Sequence, residues 1–144
     1  MATVNDILNV KGHEVVTVSP KSTVIDASRL MNQAGIGGVV VVESEKVVGI
    51  FTERDVLRRV VSEQRDPTKT LVAEVMTADV FTVRSDTPLD GCSSLITAKR
   101  IRHIPVVDDG GMRGIITSGD LLAYQVREQQ DTIDYLNHYV HDLR

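Results

Sequence analysis

Gly49-Ile50-Phe51-Thr52-Glu53-Arg54-Asp55-Val56-Leu57 has a second copy in Gly114-Ile115-Ile116-Thr117-Ser118-Gly119-Asp120-Leu121-Leu122. Both read glycine, two apolar residues, threonine, two variable residues, aspartate and two apolar residues. Outward from there, Val15–Leu57 lies on Val80–Leu122 without a gap, with about thirteen identical positions. Many of the core positions among the rest trade one apolar residue for another. A repeat of this length makes the chain a pair of like supersecondary units. A unit of about 60 residues buries too little apolar surface to be secure alone. The two are therefore expected to share a core.

Within each unit the pattern predicts strand, helix, strand, strand, helix. Val15–Val18 and Val80–Val83 are short extended runs, and Ser19-Pro20 ends the first, because proline removes a ladder donor. Thr23 opens a helix whose Val24, Ala27 and Met31 share one face. Gly35 sits just past its end. The copy runs from Pro88, at the first helical position, to Lys99. Val39–Val42 and Ile104–Val107 read as strands buried on both faces. Turns at Glu43-Ser44-Glu45 and Asp108–Gly111 lead into the signature strands. Short helices precede each unit: Thr3 caps one, with Asp6 in its first turn, and Thr70–Met76 is the counterpart. Their offset differs because Lys11-Gly12-His13 is an extra loop in the first unit only. Residues 1–64 and 65–126 are assigned to the two repeats, and 127–144 to a C-terminal helical extension. On that extension Leu122, Val126, Ile133, Leu136 and Val140 form a heptad-like stripe interrupted at Gln129. The stripe should pack on its own chain or on a second copy.

Composition narrows the function. The chain has 144 residues, 42% of them hydrophobic, 25% charged and only 3% aromatic, and it carries a net charge of −4. An acidic balance argues against nucleic acid as the partner, since phosphate contacts need a basic surface. No apolar run approaches the roughly 20 residues of a membrane span. A single cysteine forms no internal disulfide, and no secretory signal is visible at Met1. A cytoplasmic protein is expected.

Thr52 and Asp55, like Thr117 and Asp120, stand three apart at a helix start. That spacing is a capping box, with threonine as N-cap and a carboxylate at the third helical position. The same geometry presents free N–H groups to an anion. The carboxylate can also accept two hydrogen bonds from vicinal hydroxyls. Either reading fits the residues. Gly35-Ile36-Gly37-Gly38 is not a phosphate loop, because a strand follows it and no Gly-Lys-Ser/Thr appears. Cys92 lies on an apolar helix face as a small core residue. His138, His141 and Asp142 have metal-ligand spacing, but solvated polar residues at a fraying terminus are the better reading.

The repeat, the strand order, the doubled G-h-h-T-x-x-D signature and Ile104-Pro105-Val106-Val107-Asp108 together resemble the CBS domain, named after cystathionine β-synthase. The resemblance covers nearly the whole chain. It implies a stand-alone tandem pair of the α/β (α+β) class, a Bateman module of two β-α-β-β-α repeats related by pseudo-twofold symmetry. Family members bind adenosine-containing ligands in clefts between the units, and binding changes a partner's activity. Carried over to this sequence, the family pattern places Ser22, Ala27, Ile36, Gly37, Arg102, His103, Thr117 and Asp120 in one cleft. It places Thr52, Arg54, Asp55, Thr87, Cys92 and Ile101 in the other. Asp120 and Asp55 would hold ribose, and Arg102, His103 and Arg54 would face phosphate. The first unit has Gly37-Gly38 where the second has Arg102-His103, so the Asp120 cleft is expected to be the stronger. The resemblance further implies a homodimer and an unidentified regulated protein. AMP or ATP would be a regulatory ligand, with no catalytic cofactor. No nucleophile with its base and no acid–base pair is readable, so an enzyme is not expected. The alternative is a structural or interaction dimer with degenerate clefts that binds no nucleotide.

Overall fold

The computed structural model describes residues 1–142. The valine run becomes β2 (Gly38–Glu43), buried from Gly38 through Val41. It pairs antiparallel with β3 (Lys46–Thr52) and parallel with the two-residue β1 (Thr17–Val18). In the second unit β4 (His103–Asp108) pairs antiparallel with β5 (Gly111–Thr117). Both hairpins shift register at the same repeat position, between Val41 and Val42 and between Val106 and Val107.

One predicted strand shrinks. Val80–Val83 is reduced to a single parallel bridge, Val83 to Val106. In the first unit the Val40 N–H donates to the Val16 carbonyl at 3.2 Å. The matching residue in the second unit is Pro105, which has no N–H to donate. The ladder can form only on either side of it, through Val83 N to Pro105 O and Val107 N to Val83 O.

Helix boundaries follow capping chemistry. α1 (Val4–Lys11) carries a capping box in which the Asp6 carboxylate accepts the Thr3 N–H at 2.8 Å. α2 (Val24–Ala34) is capped by the Thr23 hydroxyl and ends on Gly35 at φ +66°. α3 (Glu53–Asp55) runs on as a π-helical segment, Val56–Val61. α4 (Val72–Val75) is one turn. α5 (Leu89–Lys99) begins one residue later than the sequence suggests, with Pro88 as N-cap at ψ 144°. It ends on Arg100 in the left-handed region, where α2 has Gly35. α6 (Ser118–Asp142) runs to the end of the described residues, and the extension assigned to 127–144 continues two residues beyond them.

The two units do not share one core; they exchange helices between two. Val4, Ile7 and Leu8 of α1 are buried with Val83, Leu89, Cys92, Ile104, Val106, Ile116 and Leu121 of the second unit. Val72 and Val75 of α4 are buried with Val24, Ala27, Met31, Val39, Val41, Phe51 and Val60 of the first. Backbone bonds fasten each exchange. Val4 N–H donates to Thr87 O and Leu89 N–H to Ala2 O, while Val24 N–H donates to Thr70 O and Val72 N–H to Ser22 O. Each incoming segment crosses the signature glycine of its host strand. A Cβ on Gly49 would stand 2.5 Å from Met76 Sδ and 3.0 Å from the Thr77 carbonyl oxygen. On Gly114 it would stand 2.7 Å from Leu8 Cδ2.

Overpacking of this kind costs about 1–3 kcal/mol. Gly49→Ala and Gly114→Ala should both lower the melting temperature. The loss should be larger at Gly49, where backbone as well as a side chain is in the way. Denaturant melts that leave Gly49→Ala at wild-type stability would refute the close approach.

Candidate functional site

The exchange brings the two signature turns to a seam between the units. At the seam lies a cavity of about 620 Å³. Thr52, Arg54, Asp55, Gly37, Ile101, Arg102 and His103 line it, all of them residues singled out from the sequence. Arg102 and His103, grouped above with Asp120, thus face the cavity of Asp55. Thr117 and Asp120 form the matching turn, with Asp120 accepting the Thr117 N–H at 2.9 Å and the Thr117 hydroxyl accepting the Asp120 N–H at 3.1 Å. Ile36 lies apart, in a groove of about 330 Å³ with Met31, Asn32 and Val56. Ala27 and Cys92, equivalent in the repeat, are fully buried in the two separate cores. Burial pushes the Cys92 thiol up, as for an inert core residue. Thr87 turns away to accept the Arg84 N–H, and Ser22 lends its carbonyl to α4.

Asp55 is the more deeply placed carboxylate. Its side chain is 9% exposed, against 22% for Asp120. Oδ2 accepts the Thr52 N–H at 3.0 Å and the Thr52 hydroxyl at 3.3 Å; Oδ1 accepts the Thr77 hydroxyl at 3.4 Å. Arg59 lies 3.8 Å from Oδ1 and caps α4 by donating to the carbonyls of Val75 and Met76. The capping box is therefore real at both turns, and it leaves the Asp55 carboxylate at the wall of an open cavity.

Around that wall the sequence reading missed several groups. Arg58 and Arg100 join Arg54 and Arg102, and Asp79 joins Glu53 as the opposing charge. Phe81 lines the cavity with the Lys99 ammonium 5.3 Å from its ring centre. Arg100 had a readable signal: it replaces Gly35 of the first unit yet keeps the left-handed backbone, at φ +54°. A non-glycine residue there is strained and often marks a functional turn. Thr77 and Phe81 carried no such signal.

His103 is set by its neighbour across the seam. A Cβ on Gly38 would stand 3.0 Å from His103 Nε2, so the bare glycine makes room for the ring. Burial first, then Lys11 and Arg102, hold the imidazole below its ordinary value, against opposing pulls from Glu53 and Asp120. The ring is therefore neutral at pH 7. Among the described residues, no three His, Cys, Asp or Glu side chains are grouped to hold a metal ion, and no helix is long and apolar enough to cross a membrane.

The CBS-domain family model matches residues 4–62 and again 72–127. This chain belongs to the CBS-domain family. It is 35% identical to the CBS domain-containing protein CBSX3, mitochondrial, of Arabidopsis thaliana, over 96% of this chain and 71% of that protein. Its fold matches a solved CBS-domain protein from Burkholderia ambifaria with a TM-score of 0.85 and 40% identity, covering 89% of this chain and 96% of the other. It also matches the CBS domain pair of protein MJ0100, solved in complex with 5′-methylthioadenosine and S-adenosyl-L-methionine. That match has a TM-score of 0.75 and 27% identity, covering 85% of this chain and 98% of the other. The tandem CBS pair and its mixed α/β architecture are thus shown, and the two CBS domains account for the chain up to the C-terminal part of α6.

A depressed imidazole has a measurable consequence. The unfolded chain takes up a proton near pH 6.5 while folded His103 resists it, so its contribution to stability is full above that pH and is lost as pH falls from there through the lower folded value. His103→Gln should flatten the fall in melting temperature between about pH 7 and pH 5. Identical acid slopes for wild type and variant would show that His103 titrates as if unfolded.

Proposed function

We propose that this CBS pair is a cytoplasmic regulatory module that senses an adenosine-containing nucleotide, AMP or ATP, and passes occupancy to a partner protein. One observation carries the reading: the cavity at the seam joins a buried helix-start carboxylate, an apolar wall and a cluster of arginines. A volume near 620 Å³ suits a drug-sized ligand. Asp55 has the lone pairs to accept ribose hydroxyls, with Thr52 beside it. Ile50, Val80, Phe81 and Ile101 offer apolar surface to a base. Arg54, Arg58, Arg100 and Arg102 offer planar donors to phosphate. His103, neutral at pH 7, contributes a hydrogen bond rather than charge. The Asp120 turn with Thr117 marks the second cleft, to which the family pattern also carries Ser22 and Ile36. Ala27, Cys92 and Thr87 act from behind, by shaping the helices that frame the two clefts.

Occupancy can be coupled outward through the exchange. Asp55 touches Thr77 and Arg59, and these hold the segment and the helix α4 that cross from the second unit. A ligand competing for Asp55 would shift that crossing. The nucleotide is a regulatory ligand here, and no step of chemistry is assigned to the chain.

Calorimetry with ATP tests the site. Charged hydrogen bonds are worth about 1.5–3 kcal/mol, so Asp55→Ala should weaken ATP roughly tenfold or more. Arg102→Ala should weaken ATP far more than adenosine, which has no phosphate to pair. Equal losses for the two ligands would reduce Arg102 to a shaping role. No heat with any adenosine ligand would favour the interaction module without nucleotide.

A homodimer is part of the proposal. Leu122, Val126, Ile133, Leu136 and Val140 are all about half exposed or more, so the α6 stripe does not pack back on its own chain. Leu57 and Val61 add exposed apolar surface on the π-helical segment. A twofold pairing buries the same patch on both copies. Truncation after Gln129 removes Ile133, Leu136 and Val140, each worth about 1.5–3 kcal/mol if fully buried. Light scattering should report a dimer for the intact chain and a shift toward monomer for the truncation. A monomeric intact chain at micromolar concentration would sink the pairing.

A further inference from the structure

The two signature turns are alike in capping but not in what crosses them. Over the first turn, the segment from the second unit arrives as backbone. Thr77 and Ile50 exchange two N–H···O bonds of 2.9 Å, and the Thr77 hydroxyl reaches Asp55 Oδ1 at 3.4 Å. Over the second turn, the crossing segment delivers a side chain instead. Lys11 Nζ donates to the carbonyl of Ile115, the repeat partner of Ile50, at 2.8 Å and to Asp120 Oδ2 at 2.6 Å. His13 Nδ1 lies 2.8 Å from the Arg113 carbonyl and pins the same segment to β5. The difference arises from the extra residues Lys11-Gly12-His13, which the second unit lacks.

We propose that Lys11 decides which of the two like clefts takes a nucleotide, by occupying the Asp120 carboxylate with its own ammonium. The inference rests on the reading of these carboxylates as ribose acceptors. At Asp120, Oδ2 already receives the Thr117 N–H and a charged donor at short range. A ribose hydroxyl bonding Oδ2 competes with the ammonium, and the ammonium charge is already paired with the carboxylate. At Asp55 the competing groups are held more loosely: a neutral hydroxyl at 3.4 Å, which can rotate and itself bond the ligand, and the Arg59 guanidinium at 3.8 Å, whose N–H groups already donate to the Val75 and Met76 carbonyls. The cation that cancels Asp120 comes from outside both signature motifs, so two sites that look equal in the motif are unequal in the fold. The chain then offers one ready nucleotide site, at Asp55, and a second that its own lysine holds closed.

Calorimetry with ATP on the full chain reads this directly. Wild type should fill one site per chain. Lys11→Met, which keeps the aliphatic stem, should bring out a second site by raising its affinity up to about fivefold, the upper range for an exposed ion pair. Adding Asp120→Ala to Lys11→Met should return the stoichiometry to one, while Asp55→Ala in the wild-type background should remove the first site. Wild type filling two equal sites would overturn the proposal while leaving the nucleotide reading intact. So would Lys11→Met remaining at one site, or losing ATP because Lys11 serves phosphate. No binding of ATP, AMP or adenosine by any variant would instead sink the nucleotide reading and this proposal with it. A ligand-free check uses melting temperatures of Lys11→Met, Asp120→Asn and the double variant. Coupled shifts are expected for a direct contact, and strictly additive shifts would overturn Lys11's hold on Asp120.

Discussion

The structure depends on the leading segment of each unit lying across a glycine in a strand of the other. Met76 and the Thr77 carbonyl sit where Gly49 would carry a side chain, and Leu8 sits where Gly114 would. The approach is tightest at Gly49, where the backbone carbonyl of Thr77 is in the way, whereas at Gly114 it is the end of the Leu8 side chain. It places α1 in the second core and α4 in the first, so neither unit completes its core alone. That answers the size problem of the half-chain. The signature glycine is thus a packing residue first, and the threonine and aspartate after it inherit their position from the crossing.

The site is a by-product of that geometry. The strands that carry the glycines end in the helix starts of α3 and α6, so both carboxylates are delivered to the seam. Near-symmetry of the backbone does not carry over to the surroundings. Gly38 lends its vacant side-chain space to the His103 ring, Arg100 takes the left-handed position of Gly35, and Lys11 reaches Asp120 where Thr77 reaches Asp55. Each difference is a single residue: Arg100 adds a cation to the cavity of Asp55, while Lys11 pairs with Asp120. An arginine-rich cavity on a chain of net charge −4 is a local arrangement that overall charge does not reveal.

Much of this was legible along the chain. The repeat marked two like units, and the capping signals at Thr3, Thr23, Thr52 and Thr117 placed helix starts correctly. The paired Thr-x-x-Asp spacing marked both turns. Misreadings came where one residue overrode a pattern. Pro105 removed the donor that Val80–Val83 needed to remain a strand, and Pro88 stood one position outside its helix. The apolar stripe of α6 was visible as a period, but nothing in the period says whether a partner covers it.

The sequence by itself determined the doubling, the strand and helix order of the first unit, and which side chains cap which helices. These follow from interactions among residues close in the chain, where spacing is geometry. Only the tertiary structure decided that the units exchange their leading helices and that Arg102 and His103 face the cavity of Asp55. It alone showed Lys11 on Asp120. Those contacts join residues far apart in the chain, Lys11 and Asp120 by 109 positions. They are selected by which surfaces fit across a glycine, and no local pattern encodes that fit.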